Sequence, residues 1–224
     1  MLLYDPTIIL LIPVIILAIW AQHKVKSTFK KYSKKHASRG FSSQEVAKDI
    51  LNRTGSNIPI ERVSGKLSDH YDPRDKVLRL SDSVYGKRNI SAIAVAAHEA
   101  GHAIQDNTGY VPLKVRNFIA PVASFGSKLA FPLIFIGFLF QAFSLMKIGI
   151  VFYAAAVVFS IVTLPVEFNA SSTALKIIKN NGYLNDNELV GAKKVLNAAA
   201  MTYVTSTLVA VVNLLRFILL AGRE

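Results

Sequence analysis

His98-Glu99-Ala100-Gly101-His102 stands near the middle of a 224-residue chain and follows the apolar run Ile90-Ser91-Ala92-Ile93-Ala94-Val95-Ala96-Ala97. That run contains neither Gly nor Pro, so it reads as a buried helix entering the motif. On a helix, positions i and i+4 lie one above the other, and His98 and His102 can therefore present two imidazole nitrogens to one metal ion. The pairing suits zinc. Glu99 projects about a quarter turn away. It is close enough to take a proton from a water on the metal without being a ligand itself, which is the part of the general base in zinc peptide hydrolysis. Gly101 leaves room for the close approach of another backbone or of a substrate.

A pattern this short recurs by chance in roughly one chain in a few hundred, so its surroundings must decide. They are Ala, Val and Ile, and two histidines and a glutamate set idle on so apolar a face would be buried polar groups without partners. Glu99 and His102 also have the Glu-x-x-His spacing of a di-iron carboxylate site. Such a site needs a second copy, and no other Glu in the chain has a His three residues later.

Composition sets the environment. Half of the residues are hydrophobic (52%) and mean hydropathy is +0.37, yet the net charge is +12, so apolar and basic parts must be segregated. The expected fold class is a mainly α membrane protein with about four transmembrane helices and a cytosolic, zincin-like α+β portion carrying a small β-sheet. Cysteine is absent, which excludes disulfides, thiol catalysis and cysteine zinc sites and leaves imidazole and carboxylate as the strong metal ligands.

Outward from the motif, the chain divides into five expected segments. Residues 1–22 form an N-terminal anchor whose apolar part runs from 6 to 22, near the lower limit for crossing a bilayer, with Trp20 at the interface. Asp5 precedes this run and Lys24, Lys26, Lys30 and Lys31 follow it, the reverse of a cleavable signal peptide; the N-terminus is therefore expected outside. Residues 23–118 form a basic cytosolic domain holding the motif, with 18 Lys and Arg against 9 Asp and Glu. A basic run directly after a span fixes orientation and touches anionic lipid, and aromatic residues for base stacking are sparse, so no nucleic acid is expected. Within this domain Ser42-Ser43-Gln44-Glu45 reads as a capped helix start, and 58–80 alternates in short runs broken by turns, a small sheet whose edge could bind an extended substrate. His70 and Asp72 in its turn read as local hydrogen bonding rather than as ligands.

Residues 119–166 read as a transmembrane hairpin with spans at 121–143 and 148–165 and a tight connection at 144–147; Lys128 snorkels, and Pro132 and Gly137 are candidate bends. Residues 167–197 are expected as cytosolic helices and 198–224 as a fourth span with Arg216 near its far end. The hairpin returns the chain to the side it left, where Glu167 follows Pro165. Two histidines and one carboxylate, with a fourth position for water, make the open coordination of a catalytic zinc, and Glu167 is the expected third ligand. Asp186 and Glu188 are rivals, though they read as acids at a helix start.

Together with the motif, Leu67-Ser68-Asp69-His70-Tyr71-Asp72-Pro73-Arg74 and Val166-Glu167-Phe168-Asn169-Ala170-Ser171 make nearly the whole chain resemble the YugP-type membrane zinc metallopeptidases, distantly similar to HtpX and CAAX-prenyl peptidases. The resemblance implies a gluzincin site with His98, His102 and Glu167 on zinc and Glu99 as catalytic base. That wider group usually carries Asp four residues after the third ligand, to orient an imidazole; here Ser171 stands in that place. The expected function is a zinc-dependent endopeptidase of the plasma membrane with its active site on the cytoplasmic side, acting on protein or peptide substrates, membrane proteins among them. The alternative is a proteolytically inactive zinc-binding scaffold. A metal transporter would need ionisable residues deep within the spans, where only Lys128 and Arg216 occur, both near ends. Tyr203 fits an interfacial anchor as well as an oxyanion partner and is left out of the catalytic set.

Overall fold

A computed structural model describes residues 6–222; Asp5, on whose position the orientation of the anchor partly rests, lies outside the described residues. After a 3-10 turn at Pro6–Leu10 come α1 (Leu11–Ser33), α2 (Ser43–Arg53), β1 (Ile60–Val63), β2 (His70–Asp72), β3 (Val77–Ser81), α3 (Ile90–Asn107), α4 (Val111–Leu139), α5 (Phe143–Asn180) and α6 (Asp186–Ala221). The protein is thus mainly helical with one small sheet. Four helical stretches, Thr7–Ser33, Val111–Leu139, Phe143–Asn180 and Asp186–Ala221, are long and apolar enough to cross a membrane.

Two compact units divide these elements. The first takes residues 6–22, 114–165 and 202–222. Its core is built from Ala130, Ile134, Met146, Tyr153, Val157 and Phe217, with Phe131, Tyr153 and Phe217 meeting edge to face at 5.2–5.8 Å between centroids. Large apolar side chains also cover its outside: Ile9, Ile16, Ile19, Val122, Phe125 and Val151 are all more than half exposed. In water such a surface would drive aggregation, whereas hydrocarbon is its natural solvent.

The helices run past the apolar stretches that announce them. The hairpin turn falls at 140–142 rather than at 144–147, which the first turn of α5 occupies. Gln141 adopts a left-handed φ of 54° there, and Ala142 N donates to Gly137 O at 2.8 Å, closing the end of α4 as a left-handed cap does. Gly137 is a packing position: a Cβ on it would lie 2.6 Å from Met146 N. Nor does a new helix open after Pro165. That residue cannot donate to the Ile161 carbonyl, but α5 continues through it to Asn180, so Glu167 sits on the same helix as the third apolar run.

The second unit takes His23–Leu113 and Val166–Met201. Its sheet has the order β1-β3-β2, with β1 parallel and β2 antiparallel to β3, and Tyr71 opposite Leu78. Both faces of β3 are covered, as its buried Val77, Leu78 and Leu80 require. Ser42 caps α2 in a full capping box: its hydroxyl accepts from Glu45 N, and its own N–H donates to Glu45 Oε2. The buried stripe Val46, Ala47, Ile50 and Leu51 then packs α2 against α3. Each of its larger side chains contributes about 1.5–3 kcal/mol by leaving water.

Candidate metal centre

Asn89 starts α3 by accepting from Ala92 N at 2.9 Å, and the alanines at 92, 96, 97, 100 and 103 are all buried. Small side chains let neighbours approach closely. At Gly101 the approach is to α5: an added Cβ would lie 2.9 Å from Ala170 O and 3.3 Å from Ala170 Cα. Backbone atoms cannot swing aside as a side chain can, so no larger residue fits at 101 without moving the helix.

This contact sets the carboxylate of α5 against the histidines of α3. His98 Nε2 is 3.3 Å from Glu167 Oε2 and His102 Nε2 is 3.7 Å from Glu167 Oε1. The two rings stand nearly perpendicular, with centroids 4.8 Å apart. Among the described residues these three form the group of His and acidic side chains able to hold a metal, with one donor atom of each within 4.8 Å of the others. Tetrahedral zinc with bonds of about 2.0–2.1 Å separates its ligand atoms by roughly 3.3–3.4 Å. The spacings of 3.3 and 3.7 Å match that edge to within a few tenths of an ångström, and they exceed a good direct hydrogen bond. Glu167 is 4% exposed, a depth at which a carboxylate needs cationic partners.

The other nitrogens are already engaged. His98 Nδ1 lies 3.1 Å from Ser171 Oγ, so the serine that stands in the place of an aspartate does meet the imidazole. His102 Nδ1 lies 3.0 Å from Gln105 Oε1, while Gln105 Nε2 donates to Val166 O and Asn169 Oδ1, each at 2.8 Å. Because the amide spends both hydrogens on oxygens of α5, only its oxygen can face His102. In the neutral ring Nδ1 must therefore carry the proton, which leaves the lone pair of Nε2 on the side of Glu167. Burial disfavours a charged His102, but the facing Glu167 and Glu99 carboxylates outweigh that and raise its pKa above the usual range, so a metal has to displace a proton to bind Nε2.

Glu99 is buried, and its Oε2 accepts from the backbone N–H of Tyr71 at 3.1 Å. Tyr71 is the middle residue of β2, which pairs with β3 on one side only. Its amide points away from β3 and is spent on Glu99, so this edge of the sheet is three residues long with its central donor engaged. The Tyr71 phenol donates to Asp106 at 2.7 Å, and Lys76 pairs with the same carboxylate. Burial, reinforced by that acceptor, raises the phenol well above its ordinary range.

His70 and Asp72 serve local structure. His70 Nδ1 meets Ser68 O at 2.9 Å, and Asp72 accepts from Arg74 N and from Arg79 Nη1. Glu188 is no rival to Glu167. It closes the start of α6 by accepting from Asn185 N and ties down Ser38 N at 2.7 Å, and Asp186 is exposed. Gln105, Asn169 and Tyr71 were not legible as parts of the site, although Gln105 had a signal: three residues after His102, it shares that histidine's face of the helix.

Gln105→Leu removes the acceptor of His102 and the brace to α5 together. Zinc affinity should fall about 10–100-fold in a competitive chelator titration, while Gln105→Glu, which keeps an acceptor for Nδ1, should recover part of it.

The family model described as "Putative neutral zinc metallopeptidase" matches residues 7–222. The "Putative membrane protease YugP" of Bacillus subtilis (strain 168) is 50% identical over 212 residues, which cover 93% of this chain and 94% of that protein. No solved structure matches.

Proposed function

The chain belongs to this zinc metallopeptidase family, and on that premise we propose that it is an integral-membrane endopeptidase in which His98, His102 and Glu167 hold zinc and Glu99 is the general base. One observation carries the reading: both Nε2 atoms face the two oxygens of a single buried carboxylate at tetrahedral-edge spacing, with both Nδ1 atoms turned away and tied. This donor set, two imidazoles and one carboxylate, is that of a gluzincin and leaves a position for water.

When bound, zinc supplies a Lewis acid that acidifies water toward a pKa of about 7 and polarises a carbonyl. The residues of the chain do the rest. Glu99, next to His98 on α3, takes the proton of the attacking water and returns it to the departing amine nitrogen. The Tyr71 amide holds that carboxylate in one rotamer between the two transfers. Ser171 and Gln105 keep the imidazoles aimed. The lysines at 24, 26, 30 and 31, directly after the first apolar run, support a cytoplasmic site, since basic flanks are retained on that side. Substrates of this chemistry are proteins or peptides, including membrane proteins reached at the bilayer surface.

Purified protein should hold about one zinc per chain and hydrolyse a casein-like substrate. A chelator should abolish that activity and added zinc restore it. Zinc-loaded protein inert toward a broad panel of unfolded and membrane-protein substrates would defeat the reading.

A further inference from the structure

Two carboxylates on one face of α3 grip a single residue of β2. Glu99 and Asp106 are separated by two helical turns, about 10.5 Å along the axis, and so share that face. Tyr71 meets both: its main-chain N–H donates to Glu99 Oε2 at 3.1 Å and its phenol donates to Asp106 Oδ2 at 2.7 Å. Lys76, in the turn that joins β2 to β3, adopts a left-handed φ of 53° and pairs with the same Asp106 oxygen. Burial keeps the phenol protonated, so it stays a donor across the neutral range.

The grip matters because β2 has little else to hold it. It is three residues long and pairs on one side only, which leaves the aim of its outward amide weakly set by the sheet. A hydrogen bond directs a general base only as well as its donor is held, and a misplacement of about 1 Å can cost about 10²-fold in rate. We propose that Asp106 is a positioning residue for the base: by holding the phenol it holds the Tyr71 amide, and through that amide the carboxylate of Glu99. With Oε2 committed in this way, Oε1 is left to take the proton of the attacking water. The proposal rests on the reading of Glu99 as base. Tyr183 supplies a matched control, since its phenol donates to Asp49 in the same unit and Asp49 pairs further with Arg53.

Zinc-loaded full-length Y71F, D106A, D106N and Y183F would be compared with wild type for turnover of a casein-like substrate, metal content and thermal stability. Y71F and D106A should lower kcat about tenfold and leave KM and zinc content within about twofold of wild type. D106N, whose amide oxygen still accepts from the phenol, should recover to within about threefold, and Y183F should lose less than about twofold. Added to E99Q, Y71F should cost nothing further, because the group it steadies is already gone. The Tyr71 amide, followed by hydrogen exchange with residue-level fragmentation, should exchange about tenfold faster in Y71F and D106A than in wild type or Y183F, a readout that needs no turnover. Wild-type turnover in E99Q would end the reading of Glu99 as base and this proposal with it. The positioning role alone is overturned if Y71F and D106A turn over no more slowly than Y183F, if Y71F deepens the loss in E99Q, or if exchange at Tyr71 is unchanged.

Discussion

Glu99→Gln should leave zinc content unchanged and lower kcat by about 10²–10⁴-fold, the usual worth of a positioned general base. The substitution is nearly isosteric, and the amide oxygen of glutamine can still accept the Tyr71 N–H that Glu99 Oε2 accepts at 3.1 Å. What it loses is the ability to carry a proton. Metal analysis, thermal stability and turnover of a casein-like substrate should therefore separate: the first two stay at wild-type level while the third collapses. A variant that kept its rate would place the base elsewhere, and one that lost its zinc would make Glu99 a ligand.

Glu167→Ala should act in the opposite order, with loss of metal preceding loss of rate. Structural zinc sites bind with about 10–16 kcal/mol, so one ligand of four is worth roughly 3 kcal/mol, and affinity should drop by 10² or more. Competitive titration with a chromogenic chelator reads this directly. Glu167→Asp, one methylene shorter, should lie between, because α5 is held against Gly101 and cannot advance to compensate. Wild-type affinity in the alanine variant would remove the carboxylate from the coordination sphere and with it the gluzincin reading.

The sequence displays the two histidines of α3 openly because one helix holds them both, and i, i+4 spacing converts directly into geometry. Glu167 was reachable by a longer route, by counting membrane crossings and asking which carboxylate came back. The helical class and the small sheet were legible from hydropathy and alternation. The ends of the helices were not: polarity changes at Gln22 and again near Asn197, whereas the backbone of α1 and of α6 keeps its hydrogen-bond ladder through the change. The partners of the imidazoles were the least visible. Gln105 is polar near a helix end and looks like a terminator until α5 is set beside it, and the tie between Tyr71 and Glu99 runs through a main-chain amide, which no side-chain pattern announces.

The absence of room at Gly101 bears on which ions the chain can accept. The gap between the two imidazoles and the carboxylate is fixed by main chain meeting main chain, so it has little freedom to widen. Cations that require bonds of 2.3–2.6 Å, such as calcium, would need the helices to part. On the proposed ligand set, size discrimination would follow from how closely two helices touch at a residue with no side chain.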